Sequence, residues 1–200
     1  LIIAISLLMI VMSFPFSTLK AQQFSNSGFE NWNYLATQPN SWNSLSYMGI
    51  NLCEENRSTS CHSGSYSVEI KPKMMSSLIA AALQTEPFAI PGLLTNATIN
   101  MTGLLSLTDL SFDSSSLNAL ANIFTDGLSI SNFPSNVSGY YNFSPMNSSD
   151  MFVLGALVIG NRNNTRYVVG GGMFTDSIAT DGFAPFNINI SSFADDSISE

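Results

Sequence analysis

Past residue 21 the apolar positions fall mostly in short pieces separated by Asn, Ser, Gly and Pro, and long runs at helical spacing are few. That rhythm predicts an all-β chain. In "SYSVEIKP", Val68 and Ile70 alternate with Glu69 and Lys71, and in "NATINMTG", Ala97, Ile99 and Met101 alternate with polar neighbours. Both segments predict half-buried strands. "MFVLGALVIG", Met151 to Gly160, is apolar without alternation and predicts a central strand covered on both faces. The polar "NRNNT" that follows, ahead of "RYVVGGG", predicts a turn, so these two runs form the clearest hairpin in the chain. "FAPFNINISSF" sets Phe186, Ile188 and Ile190 on one side of a further strand.

One stretch keeps helical time. In "SFDSSSLNALANIFTDG", Leu117, Leu120, Ala121 and Phe124 fall at i, i+3, i+4 and i+7 behind a Ser-rich cap, predicting a short helix in a crossover with Gly127 as its stop. "SSLIAAALQT" fits a helix or a buried strand equally. "FSNSGFENWN", from Phe24 to Asn33, reads as the first strand of a β-sandwich, with Gly28 permitting a bulge or sharp turn. "QPNSW" then supplies a proline turn before Trp42. Trp32 and Trp42 serve either as core anchors beside Phe29 or as a platform on which the apolar face of a sugar stacks.

The N-terminus breaks the β rhythm. Its apolar run from Leu1 to Met12 is too short to cross a bilayer comfortably and ends in the small-residue exit "STLKAQQ", as a secretory signal segment does. Cleavage after Ala21 is expected. With no starting Met and no basic flank, the chain reads as truncated at this end, residues 1–21 being the remnant of the signal and 22–200 a single domain. About 180 residues suffice for one domain with a substantial core. The destination is the secreted or outer cell-surface compartment, with no membrane span in the mature chain.

Charge narrows the partners. Only 10% of residues are charged and the formal net charge is −8, becoming −9 when Lys20 leaves with the signal. Six Lys and Arg scattered singly cannot hold a phosphate backbone, which excludes nucleic acid and anionic membranes as partners. Cys53 and Cys61 bracket "CEENRSTSC", and in an oxidising compartment such a pair closes a disulfide loop. Two thiols of a metal or redox site, and two unpaired buried cysteines, are the alternatives.

Candidate chemistry is sparse. A glycosidase needs two carboxyls at about 5 Å or roughly 6.5–9.5 Å, and Glu30 and Glu69 are the acids to consider, although each reads more simply as a solvated side chain. His62, the sole histidine, lies in a Ser-rich turn without a nucleophile elbow. No catalytic residue is assigned. Asp150, Asp176, Asp181, Asp195 and Asp196 lie in oxygen-rich loops that could hold a structural calcium ion, though none matches the spaced EF-hand loop. Tyr140 and Tyr141 are adjacent in a strand-like segment, so one ring enters the core and the other lies open on the sheet. The open ring is the best candidate for stacking on a ligand.

Taken in order, "NSGFENW", Pro39 to Trp42, "RSTSCHSGSYSVEIK", "GLSISNFPSNVSGYYNFSPMNSSD" and "FAPFNINISSFADDSIS" resemble the carbohydrate metabolism domain of bacteroidete exported surface proteins, a family associated with type 9 secretion. The likeness runs from about Phe24 to Glu200 and is most specific where Pro134, Gly139, Tyr140, Tyr141, Pro145 and Asp150 fall. Asn142 departs from it, standing where members carry lysine, as does Phe193, near the place of a tyrosine. The resemblance implies a sandwich of jelly-roll type akin to carbohydrate-binding modules. It also implies that the domain continues beyond Glu200. The expected function is a non-catalytic surface module that binds glycan, with Tyr140, Tyr141, Trp32 or Trp42 as platform. A structural or adhesive module with protein partners at the cell surface is the alternative, and a glycoside hydrolase a more distant one.

Overall fold

A computed structural model of the chain describes residues 23–47, 49–100, 103 and 114–193. The expected signal segment, Met101, Asp195 and Asp196 lie outside the described residues. The first half carries short strands: β1 (Asn43–Ser44), β2 (Ser46–Tyr47), β3 (Ile50–Asn51), β4 (Glu54–Ser58), β5 (Ser67–Lys71) and β6 (Lys73–Met74). Helix α1 (Ser77–Ala82) precedes β7 (Ala89–Ile90), β8 (Leu94–Thr95) and β9 (Thr98–Ile99). Helix α2 (Ser114–Ile123) leads into β10 (Phe124–Thr125), and then come β11 (Asn136–Tyr141), β12 (Phe152–Arg162), β13 (Thr165–Asp176), β14 (Ala184–Asn189) and β15 (Ser191–Ser192). Among the described residues the chain is mostly strand with two short helices, as its rhythm predicts.

Every ladder among the described residues is antiparallel. β1 pairs with β8, β2 with β3, β4 with β5, β6 with β7, β9 with β10 and β11 with β14, while β12, β13 and β15 form one three-stranded sheet. The β12–β13 hairpin turns through Asn163 and Asn164, both with positive φ (52° and 62°), between the paired Arg162 and Thr165. Two such residues make the primed turn whose twist matches the flanking strands, and asparagine tolerates the left-handed backbone it needs. In β5, Val68 and Ile70 are half-buried while Glu69 and Lys71 face solvent; in β14, Phe186 and Ile188 point in.

In the first half, Leu52, Cys53, Met75, Ile79, Ala80 and Ile90 form a buried cluster, with Leu45, Tyr47, Leu83 and Leu93 packed against it. The ambiguous segment "SSLIAAALQT", residues 76–85, supplies α1 to this cluster. Ser76 caps it, its hydroxyl accepting from the Ile79 N–H at 3.4 Å. Glu55 is buried here too. Its Oε2 accepts from Asn51 Nδ2 at 2.8 Å.

In the second half, aromatic rings join two ladders. Tyr141 of β11 stacks on Phe152 of β12 (4.8 Å, 3°) and meets Phe174 of β13 and Phe186 of β14 edge-on at 5.2 and 6.5 Å. Offset and edge-to-face rings of this kind add to the gain from burial itself. The Tyr141 hydroxyl donates to Asp176 Oδ2, which answers the one polar atom the ring brings inside. Glycine makes the approach possible, because a Cβ at Gly172 would fall 2.2 Å from the Asn189 carbonyl oxygen. At Val158/Ile159 the β12–β13 register slips, and beyond it Arg166 reaches α2, donating to the carbonyls of Ala121 (3.0 Å) and Phe124 (2.6 Å). A guanidinium there satisfies orphan carbonyls and complements the helix dipole.

Four expectations need correction. Phe24 to Asn33 is no strand: a turn at 25–28 leads to a single bridge between Trp32 and Pro39, and the left-handed residues are Asn26 and Phe29 (φ 52° and 58°), not Gly28. β12 is not covered on both faces, since Val153, Gly155 and Leu157 are exposed and alternate with Phe152, Leu154 and Ala156 turned inward. Helix α2 ends at Ile123, ahead of Gly127, because Phe124 and Thr125 are drawn into the ladder with β9. Cys53 and Cys61 are free thiols, and strand β4 runs between them. Five extended residues span about 17 Å, far beyond the roughly 4.4–6.8 Å Cα separation a disulfide requires.

Ile188→Ala, at a side chain only 2% exposed, is expected to cost roughly 2–5 kcal/mol in denaturant unfolding. The Tyr141 O–H, then the Ile178 N–H, hold the Asp176 carboxyl below its usual range. Its contribution is therefore present above the unfolded aspartate pKa and is lost as pH falls through the lower folded value. Tyr141→Phe is expected to lower the urea midpoint at neutral pH, with the gap to the parent chain narrowing on acidification; a gap that stays constant would refute the assignment.

Candidate functional site

Alternation along β11 decides which tyrosine is available. Tyr141 is 8% exposed and Tyr140, its neighbour, 52%. Tyr140 pairs with Pro185 across the β11–β14 ladder, so its backbone is fixed while its ring stands on the outer face. There it is stacked on His62, the ring centroids 3.4 Å apart and the planes 11° from parallel. Phe183 meets His62 edge-on at 6.3 Å. Three aromatic rings from three chain segments thus converge at one place.

The segment between β4 and β5 that presents His62 is tied down by Glu30. The Glu30 Oε1 accepts from the N–H groups of Ser65 (2.9 Å) and Tyr66 (3.2 Å). Gly64 has φ +77°, a backbone conformation that favours glycine, and a Cβ there would lie 2.1 Å from that oxygen and push the Glu30 carboxylate out of its place. Arg57 sits over the Tyr66 ring at 4.5 Å, a cation–π contact at the base of the same loop.

The segment that leads to Phe183 is held against the end of β11. The Thr180 N–H donates to the Phe143 carbonyl at 2.9 Å and the Phe143 N–H donates to Thr180 Oγ1 at 2.8 Å. The Thr180 hydroxyl in turn donates to Asn142 Oδ1 at 3.0 Å. Asn142, exposed and next but one to Tyr140, keeps carboxamide hydrogens for other partners. The arrangement can stack a flat apolar face on the rings and hydrogen-bond hydroxyl groups at its border.

The remaining candidates have structural work. Tyr141 belongs to the core, where the Asp176 bond and burial push its phenol above the usual range. Trp42 is half-buried between Phe24 (5.8 Å) and Phe29 (5.1 Å), and its indole N–H donates to the Asn26 carbonyl at 3.2 Å. The Trp32 indole N–H donates to the Phe29 carbonyl at 2.6 Å. Glu69 pairs with Lys71 at 2.9 Å on the solvent face of β5, and this bond holds the lysine above its usual value. Asp150 accepts from the N–H groups of Met146 (2.7 Å) and Asn147 (3.1 Å), closing a turn; Asp176 serves Tyr141 and Ile178; Asp181 is exposed beside Gly182. Among the described residues no three His, Cys, Asp or Glu side chains gather as a metal-holding group. Burial pushes the Cys53 thiol up, away from the thiolate form that a nucleophile needs.

His62 and Phe183 are the site residues that periodicity alone does not reveal. Each is a single aromatic in a polar turn, and only a pairing across more than 70 residues gives it meaning. Glu30 stands out in sequence by its aromatic neighbours, but its role as a loop anchor does not. No family model matches this chain, and no curated protein or solved structure does either.

Proposed function

We propose that this chain is a non-catalytic module, exported to the cell surface or beyond, that binds glycan on the Tyr140–His62 platform. The single observation that carries the reading is the exposed tyrosine ring stacked on an exposed histidine between two loops that are each pinned by hydrogen bonds. Pyranose rings have an apolar face that packs on such a surface, and the Asn142 carboxamide and neighbouring serines supply groups for the sugar hydroxyls. A platform this open favours weak affinity for single sugars and stronger binding to longer chains.

Support of a coarser kind comes from the antiparallel ladders and from the resemblance of the "FPSNVSGYYNFSPMNSSD" segment to a bacteroidete surface domain. A jelly-roll sandwich is the arrangement of these ladders that this reading favours. Calcium enters it only as a loop ion, since Asp150 and Asp176 already accept protein N–H or O–H groups. Catalysis is left out because Glu30 and Glu69 both have structural partners.

A glycan array probed with the exported chain, in calcium and in chelator, tests the proposal. Binding is expected, and Tyr140→Ala and His62→Ala are each expected to weaken it roughly two- to tenfold while leaving the fold intact, as losing an aromatic contact of about 0.5–1.5 kcal/mol implies. A folded chain that binds no glycan, or one whose binding survives Tyr140→Ala unchanged, sinks the reading.

A further inference from the structure

We propose that the Tyr140–His62 platform takes uncharged sugars and turns acidic ones away, with Asp181 as the residue that sets this preference. The inference rests on the glycan reading above and adds to it the class of sugar. Asp181 stands between Thr180, which is bonded to Asn142 and Phe143, and Phe183, whose ring meets His62. It is exposed, and among the described residues its carboxylate has neither a hydrogen bond nor an ion pair. Gly182, with φ +80°, turns the chain directly after it. A carboxylate at that border can accept from two neighbouring sugar hydroxyls at once, and hydrogen bonds to an ionised acceptor are about twice as strong as neutral ones.

The opposite loop carries a carboxylate as well. Glu30 is fastened to the His62 segment through the Ser65 and Tyr66 N–H groups, so each of the two loops that frame the ring stack brings a negative charge.

No described cation is placed to reverse that field. Lys71 is held by Glu69, Lys73 donates to the Asn51 carbonyl at 3.5 Å, and Arg166 donates to carbonyls at the end of α2. Arg162 sits at the turn end of β12, whereas β11 and its tyrosines adjoin the other end, where Tyr141 stacks on Phe152. Arg57 comes nearest, but its guanidinium lies over Tyr66, the residue whose N–H holds Glu30, and the two charges offset one another. The formal net charge of −8 adds to the same field. A uronate, sialate or sulfate group brought to this border would meet like charge without a partner, and such a juxtaposition is costly in recognition. A neutral sugar meets the same border as a set of hydrogen-bond acceptors.

Neutral oligogalactosides, oligoglucosides, oligomannosides and lactosamines, each beside its uronate, sialylated or sulfated counterpart, test the inference when offered to the full chain across a salt series, in calcium and in chelator. The neutral form should bind roughly tenfold tighter or more at low salt, and the ratio should shrink as salt screens the charges. Asp181→Asn should bring the ratio several-fold closer to one, weakening the neutral form and strengthening the acidic one, and Asp181→Lys should reverse the preference. An acidic form bound as tightly as its neutral counterpart, or a ratio that Asp181→Asn leaves unchanged, overturns the inference while leaving the glycan reading in place. A folded chain that binds no glycan of either kind removes both. Should circular dichroism show that the variants do not fold, the salt series on the parent chain decides, and a preference that salt does not alter overturns the inference equally.

Discussion

The second half of this molecule depends on how Tyr141 is buried. Its ring stacks on Phe152, meets Phe174 and Phe186 edge-on, and its hydroxyl donates to Asp176, so the β11–β14 ladder and the β12–β13 hairpin are held by apolar burial with its polar remainder satisfied. A buried phenol without that carboxylate would carry the cost of an unpaired hydroxyl. Position follows from it as well as stability. Once Tyr141 points inward, Tyr140 has no choice but the outer face, and the stack on His62 becomes possible.

Close approach of the layers rests on the absence of side chains. Gly172 runs against the Asn189 carbonyl, Gly139 against the Phe186 ring and Gly170 against the Phe133 ring and the Ser191 carbonyl. These three have no unusual backbone requirement; they matter because a methyl group would force the ladders apart. Gly155, on the outer side of the same hairpin, meets nothing. The contrast marks β12 as a strand with one packed face and one open face.

Much of this was legible from periodicity. The turn at Asn163 and Asn164, the inward Val68 and Ile70, the inward Phe186 and Ile188, and the division of labour between Tyr140 and Tyr141 all follow from the two-residue repeat of a strand and from local turn chemistry. Helix α2 was legible from the different, 3.6-residue repeat of a helix, through Leu120 and Ala121. Composition misled where apolar character was read as two-sided burial. Met151 to Gly160 is hydrophobic throughout, yet the number of faces that get covered depends on what packs there. Proximity in sequence misled at Cys53 and Cys61, because the residues between them are extended and paired with β5.

What the amino-acid order determined by itself was therefore local: strand or helix, which side chains share a face, where the chain turns, and a surface with too few cations for polyanions. Two aromatics as far apart as His62 and Tyr140, a carboxylate such as Glu30 reaching 35 residues along to the Ser65 N–H, and Arg166 closing the end of α2 were decided only in three dimensions. The physical reason is that backbone periodicity is set within a few residues by sterics and hydrogen bonding, whereas long-range contacts depend on which ladders meet. That choice rests on shape and burial summed over the whole fold, and no short stretch of sequence contains it.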